Sequence, residues 1–178
     1  MPCGSPLFSW RVIGIGNPLR GDDGLGCRVI DELQRLPLPE QVEAVDGGTG
    51  GMKLLSLFAD AAGILLVDAV DMGLAPGTLV RCNGQELLEE SRYCGAGDGH
   101  SGSLPQTLQL VALLQPLPEI VFIGLQVARV EYGRGLSAPL NSALPGLLTQ
   151  IRQLLNTTPC AGRGEFFSGQ SPSAQVNC

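Results

Sequence analysis

Residues 63–70 read GILLVDAV, an apolar run interrupted by a single acid, Asp68. Such a run is typical of a buried strand in a sheet that is covered on both faces. A carboxylate within an apolar strand is costly to bury unless a cation or hydrogen-bond donors compensate its charge. A salt bridge would need a nearby base, and Lys53 is the only lysine of the chain. A bound metal ion therefore explains Asp68 best.

Strand and helix patterns alternate along the chain on both sides of this run. Further strand patterns occupy residues 10–16, 42–46, 77–82 and 119–127. Helical patterns occupy residues 25–36, 52–61, 104–114 and 139–155. We expect Pro145 to kink or restart the last of these helices. The connection into 77–82 is too short for a parallel return, so we expect an antiparallel or edge strand there. The alternation predicts a three-layer α/β/α sandwich with a five-stranded, mainly parallel twisted sheet.

Length and composition predict one domain with a polar tail. The 178 residues suit a single core, which we assign to residues 1–156. Residues 157–178 are rich in Gly, Ser, Pro and Thr and show no period, so we expect a loosely ordered tail. The six cysteines lack zinc-knuckle and thioredoxin spacings and are interpreted as separate reduced thiols.

Charge and hydropathy exclude several classes of partner. The net charge of −6 repels phosphate backbones, so we expect no nucleic-acid partner. No apolar run approaches the roughly 20 residues that a membrane span requires. The first residues also lack the basic and long apolar regions of an export signal. We therefore expect a cytoplasmic protein that is not bound to membranes and is a monomer when free.

The acids that follow the predicted strands, together with the only histidine, form a candidate site. In a doubly wound sheet, ligands bind outside the carboxyl ends of the strands, so side chains near those ends can meet. Carboxylates and a neutral imidazole suit zinc, nickel or manganese. Each residue also has a simpler explanation: Asp22 or Asp23 would cap the helix at 25–36, Asp68 would end its strand, and the histidine would be a solvated surface residue. The candidates in chain order are Asp22, Asp23, Asp46, Asp68 and His100.

Two other readings of these segments stay open but are weaker. The glycine-rich turn at 14–26 partly fits a dinucleotide-binding motif, but Leu19 stands where its third glycine should be. Two carboxylates also occupy the place of the pyrophosphate. Alternatively, His100 could serve a nucleophile as a base, although no nucleophile-elbow motif is present. The nearby nucleophile candidates are Cys94, Ser101 and Ser103.

Three spaced motifs resemble the hydrogenase maturation endopeptidases over roughly residues 10–155. The motifs are GIGNPLRGDDGLG at 14–26, DGGTGG at 46–51, and LLVDAV at 65–70 followed by APGT. Members of that family remove a short C-terminal extension from the large subunit of nickel-iron hydrogenase once nickel has been inserted. The resemblance implies the same aspartyl-type endopeptidase activity here, with the nickel-iron hydrogenase large-subunit precursor as the partner.

The resemblance also implies roles for particular residues. Asp23, Asp68 and His100 would be both the metal ligands and the catalytic residues. The implied metal is nickel supplied by the substrate, and a divalent ion such as zinc or cadmium could occupy the site in vitro. We also expect the glycines after the second strand to form a tight turn, and its threonine to cap the next helix. The implied substrate-binding residues are Asp46, Gly47, Gly48 and Thr49.

Two mechanisms fit this ligand set. In one, an ion held by the enzyme activates water and polarises the scissile carbonyl. In the other, which we favour, the ion is the substrate's nickel, so that cleavage depends on correct loading. The group that accepts the water proton is left open between Asp23, Asp68 and the metal site itself. A nickel-sensing chaperone that uses the same ligands without cleaving is the non-enzymatic alternative.

Overall fold

The computed structural model describes residues 8–89, 104–133 and 135–157. In this part of the chain, five strands form one sheet in the order β2-β1-β3-β5-β4. The strands are β1 (Phe8–Gly14), β2 (Val42–Asp46), β3 (Ala61–Val70), β4 (Leu79–Asn83) and β5 (Glu119–Gln126). The helices are α1 (Leu25–Gln34), α2 (Lys53–Phe58), α3 (Gly84–Glu89), α4 (Leu104–Leu114) and α5 (Ala138–Thr157), and a 3₁₀ turn at Gly21–Gly24 precedes α1.

The pairing of the strands confirms the predicted topology. β1 pairs in parallel with both β2 and β3, and β3 pairs in parallel with β5. The short β4 lies at the edge of the sheet and is antiparallel to β5, as expected from its short connection. Gly14, the last residue of β1, lies opposite Asp46 on one side and Val67 on the other. The ends of the first three strands therefore meet at one edge, which we call the carboxyl edge.

Two apolar layers cover the sheet, which confirms the three-layer architecture. Leu65, Val67 and Ala69 of β3 face a layer that contains α1 and α5. Ile64, Leu66 and Val70 face the opposite layer, which contains α2, α3 and α4. Because side chains alternate along a strand, Asp68 lies on the second side, in register with Leu66 and Val70. The central strand is buried on both faces, as its sequence predicts.

Two local features differ from the sequence prediction. The sequence pattern did not indicate the short helix α3. Its start is a reciprocal cap, in which Asn83 Oδ1 accepts from Glu86 N and Glu86 Oε2 accepts from Asn83 N, each at 2.9 Å. We also expected Pro145 to kink or restart the last helix, but α5 runs through it without a break. The buried stripe on either side of the proline packs on the sheet and holds the helix together. That stripe is Leu140, Leu144, Leu147, Ile151 and Leu155.

The end of the last helix bears on the predicted tail, and the length and hydropathy of the helices bear on the question of a membrane span. α5 ends at Thr157, the first residue of the predicted tail, and residues 158–178 lie outside the described part. No helix in the described ranges is both long and apolar enough to cross a membrane.

Candidate active site

Asp68 is a buried carboxylate at the carboxyl edge of the sheet. Its residue is 4% exposed, and its Oδ1 accepts a hydrogen bond from the backbone N–H of Ala69 at 2.7 Å. Burial raises the pKa of Asp68 well above its usual value; the Ala69 hydrogen bond opposes this, and the negative charge of Asp23 adds to it. The two carboxylates are therefore close enough for their charges to interact.

Close backbone packing holds Asp68 at this place. The turn after β1 is bonded to β3 directly beside it, because Ile15 N donates to Val67 O at 2.8 Å. On the other side, Asp68 lies opposite Gly124 of β5. A Cβ at Gly124 would lie 2.6 Å from the carbonyl oxygen of Asp68, so the close approach of these strands requires glycine.

Asp23 reaches the same edge from the 3₁₀ turn. It is 7% exposed, and its Oδ2 accepts a hydrogen bond from Asn17 N at 3.2 Å. Asn17 N also approaches the carbonyl oxygen of Asp23 at 3.1 Å, so the segment after β1 folds back on itself. Gly16, with φ of 137°, permits this fold, since a Cβ there would lie 1.8 Å from the Asp23 carbonyl oxygen. The structure thus brings Asp23 and Asp68 together, as predicted.

A divalent cation fits this pair of carboxylates chemically. Two neighbouring buried acids disfavour each other's ionisation, and a cation relieves both their repulsion and their desolvation. Within the ranges 8–89, 104–133 and 135–157, no group of three or more His, Cys, Asp or Glu residues is arranged to hold a metal. The third predicted ligand, His100, lies outside these ranges. α4 begins four residues after it and packs on the side of the sheet that Asp68 faces.

Asp22 has a different role from the one we expected. We predicted that Asp22 or Asp23 would cap the first helix, but the N-cap of α1 is Gly24 and no side chain bonds there. Instead, Asp22 is fully buried, and its carboxylate accepts hydrogen bonds from Ala128 N, Arg129 N, Ser137 N and Ser137 Oγ. Burial alone would raise its pKa, but these four bonds outweigh burial and lower it. The sequence marks Asp22 only as one of two adjacent acids, because its hydrogen-bond partners lie more than 100 residues away along the chain.

The predicted docking loop at residues 46–49 is a tight turn joined to the end of β1. Asp46 Oδ1 accepts from Gly48 N at 2.7 Å, and Gly48 has a φ of 60° that favours glycine. Gly47 N donates to Gly14 O and Gly16 N donates to Gly48 O, each at 2.8 Å. The turn prediction is thus confirmed.

The prediction that Thr49 caps the next helix is wrong. α2 begins at Lys53, its N-cap is Met52, and no side chain bonds to that cap. Three further residues after Thr49 carry the chain into the helix, so the threonine is too far along the chain to reach the first turn. The lysine instead secures the loop, because Lys53 Nζ donates to the carbonyl oxygen of Asp46 at 2.7 Å.

Cys27 lies between the two glycine-rich turns. Its thiol donates to Gly16 O at 3.5 Å and to Asp46 Oδ1 at 3.7 Å. Burial, the charge of Asp46 and the hydrogen bond to that carboxylate raise the pKa of Cys27 to about 11, with a smaller effect from Asp31. The thiol is therefore an uncharged donor that links the turns and not a thiolate nucleophile. The other nucleophile candidates, Cys94, Ser101 and Ser103, lie outside the described residues.

We predict that Cys27 reacts slowly with iodoacetamide although it is partly exposed. At pH 8 a pKa of about 11 leaves roughly 100-fold less thiolate than an ordinary cysteine has, and the thiolate is the reactive form. Mass spectrometry of the Cys27 peptide, with an unstructured cysteine peptide in the same tube, measures the rate. Asp46→Asn should accelerate the reaction because it removes the negative charge beside the thiol and replaces the carboxylate acceptor with a weaker, uncharged one. Alkylation of the unchanged protein at the rate of the reference peptide would contradict the assignment.

Comparisons with known proteins identify the family. Residues 27–154 match the family model described as hydrogenase maturation protease. HupM, a hydrogenase expression/formation protein of Azotobacter chroococcum, is 36% identical over 171 residues, which cover 93% of this chain and 80% of HupM. HoxM, a hydrogenase expression/formation protein of Cupriavidus necator, is 34% identical, with 81% of this chain and 72% of HoxM covered.

The fold agrees with the sequence matches. The hydrogenase maturating endopeptidase HybD of Escherichia coli superposes with a TM-score of 0.74 at 26% identity, covering 84% of this chain and 93% of HybD. A hydrogenase 2 maturation peptidase from a Thaumarchaeota archaeon gives a TM-score of 0.64, also at 26% identity, covering 84% and 99%. The resemblance inferred from the three motifs is confirmed. This chain belongs to the hydrogenase maturation protease family and is a peptide-bond hydrolase.

Proposed function

We propose that this protease removes the C-terminal extension of the nickel-iron hydrogenase large-subunit precursor after nickel insertion, and that it uses the bound nickel as its recognition element. The observation that carries the proposal is the pair of buried, interacting carboxylates, Asp23 and Asp68, at the carboxyl edge. The proposal places the protein in the cytoplasm, where it acts as a monomer on a folded partner.

The substrate's nickel fits this site because a cation favours the ionised form of a buried carboxylate such as Asp68. The Asp68 carboxylate accepts a hydrogen bond from the uncharged backbone N–H of its neighbour Ala69. An arriving cation favours the ionised form of both acids, so the site is complete only when a loaded precursor is present. We assign His100 as the third ligand. Zinc or cadmium ions have the same preference for oxygen and nitrogen donors and could occupy the site in vitro.

The same carboxylates supply the acid and base chemistry. An ionised aspartate beside the scissile bond accepts a proton from the attacking water and returns it to the departing amine. Burial strengthens the interaction between each acid and the reacting groups, because the local dielectric is low. Asp23 and Asp68 are thus assigned both to hold the substrate's nickel and to move the proton.

The loop at residues 46–49 is assigned to substrate binding. It stands at the edge that carries the acids, and its backbone is bonded to the turn that leads to Asp23. Asp46 and Thr49 are exposed there, and the partly exposed Gly48 leaves a protein partner room to approach the backbone. A precursor bound on this loop lies beside the two carboxylates.

Processing of the purified precursor tests the proposal. With nickel-loaded precursor we expect cleavage by the unchanged protein and none with nickel-free precursor. His100→Ala should lower the rate by about 100-fold or more, because losing one of three ligands disrupts nickel recognition. The matched control is Asp31→Asn, which changes an exposed acid of α1 and should leave processing unchanged. Gel mobility or intact mass of the precursor measures the rate, and circular dichroism checks the fold of each variant.

Other outcomes select other functions. A nickel-loaded precursor that binds the unchanged protein but is never shortened would favour the chaperone alternative. Cleavage of nickel-free precursor that requires only added zinc would favour an ion held by the enzyme. Full processing by His100→Ala would remove this histidine from the site.

A further inference from the structure

We propose that Asp22 is a positioning residue: it anchors the 3₁₀ turn to the segment that follows β5, and it thereby fixes the neighbouring Asp23 for the reaction. The inference rests on the proposed function, because it assumes that Asp23 acts on the substrate. It concerns a residue that has no place among the proposed ligands.

The anchor consists of four hydrogen bonds to one buried carboxylate. Oδ2 accepts from Ala128 N at 2.8 Å, from Arg129 N at 3.1 Å and from Ser137 Oγ at 2.9 Å. Oδ1 accepts from Ser137 N at 2.6 Å, across 115 residues of chain. Asp22 N also donates to Arg129 O at 3.4 Å. One side chain therefore ties the first turn to both ends of the segment 128–137.

These bonds, together with complete burial, make Asp22 a poor ligand or base. An ionised carboxylate offers about four lone-pair positions, and four donors share its two oxygens, three on Oδ2 and one on Oδ1. The two adjacent acids of the turn therefore have different roles. Asp22 is hydrogen-bonded within the protein, while Asp23 lies close enough to Asp68 to affect its ionisation.

The turn needs such an anchor because it is too short to be stable by itself. Gly21–Gly24 is a single 3₁₀ turn, and its end residues are glycines with little conformational restraint. Asp22 belongs to neither apolar layer of the sheet. Its loss should therefore displace the turn and Asp23 more than it disturbs the two cores.

Asp22→Asn is the direct test. The amide group has nearly the same shape as the carboxylate. In either orientation, however, its NH2 group faces at least one of the N–H or O–H groups that donate hydrogen bonds to the carboxylate. We expect kcat for the nickel-loaded precursor to fall by about 100-fold, because small displacements of a reacting group have effects of this size. KM should rise as well, because a displaced Asp23 holds the substrate's nickel less well, although the substrate-binding loop is untouched. The affinity of the isolated protein for zinc, measured by calorimetry, should fall as well.

Two further variants separate positioning from a general loss of stability. Arg11→Met removes three hydrogen bonds, to Glu43, Leu57 O and Ala59 O, in the first half of β1. At temperatures well below both unfolding midpoints, this variant should keep the kcat and zinc affinity of the unchanged protein. Ser137→Ala removes one of the four donors and should lower kcat only severalfold. Combined with Asp22→Asn, it should add little further loss, because the two residues share one contact.

The kcat values and zinc affinities of these variants distinguish a positioning role of Asp22 from a general loss of stability. Asp22→Asn with unchanged kcat and unchanged zinc affinity overturns the inference. Equal losses of kcat in Asp22→Asn and Arg11→Met, in proportion to their lost stability, also overturn it. If the unchanged protein binds the precursor without cleaving it, the proposed function fails, and the zinc affinities of the three variants still decide whether Asp22 positions Asp23.

Discussion

Asp68→Asn is expected to abolish processing of the nickel-loaded precursor and, at the same time, to stabilise the metal-free protein. The loss of rate should reach about three orders of magnitude, because an essential charged group at the reacting centre is removed from a site of low dielectric. The gain in stability has the same cause. Asp68 is buried, and the amide of Asn carries no charge that must be desolvated.

The pH dependence of this gain follows from the raised pKa of Asp68. In the unfolded chain the carboxyl ionises near pH 4, whereas in the folded protein it resists ionisation. As the pH rises from about 4 through the folded pKa, the unfolded state loses its proton first, so the free energy of unfolding falls. The Asn variant has no such loss. Its advantage should be small at pH 4 and grow towards neutral pH, where we expect a Tm about 2–8 °C higher.

Calorimetry with a chelator present measures this difference at pH 4 and pH 7. Asp60→Asn is the matched control: Asp60 is exposed, with a φ of 59° that Asn also tolerates, and neither Tm nor processing should change. A variant Asp68→Asn that is less stable than the unchanged protein at neutral pH would mean that the carboxylate mainly supports the fold. A variant that still processes the precursor would remove Asp68 from the reaction.

The burial of Asp68 shows why this candidate residue could be found from the sequence. An acid inside GILLVDAV conflicts with its apolar surroundings, and such a local conflict is visible without any knowledge of the fold. The parallel topology also followed from local patterns, and it placed the first turn beside β3. Asp23 and Asp68 were therefore brought together by reasoning that needed only strand order and direction.

The role of Asp22 could not be predicted in that way. Its partners at Ala128, Arg129 and Ser137 have no pattern that marks them, and three of the four donors are a backbone N–H that every residue except proline carries. Helix capping was the local explanation for an acid at this position, and the tertiary contacts overrode it. The cap predicted for Thr49 failed for a related reason, since the true start of α2 depends on how the glycine turn packs on β1.

Gly26→Ala should be among the most damaging small substitutions outside the acids. Gly26 lies in the first turn of α1, where a Cβ would stand 2.1 Å from Ile15 O and 2.3 Å from Ile15 N. The converse contact is equally close, because a Cβ at Gly14 would lie 2.3 Å from Gly26 O. These are backbone atoms, so no side-chain rotation can relieve the clash. The helix would have to move away from β1 and carry the 3₁₀ turn with Asp23 along.

We expect this variant to lose about 3 kcal/mol or more of unfolding free energy in urea titrations, together with its processing activity. The matched control is Gly146→Ala, in α5, where an added Cβ meets nothing within 4 Å. There the same change should stabilise the protein by about 0.5–1 kcal/mol, because alanine favours the helix. Both glycines are helical, so propensity alone predicts the same sign for both. Stabilisation by Gly26→Ala would therefore show that α1 can withdraw from β1 freely, and that the close packing does not hold Asp23 in place.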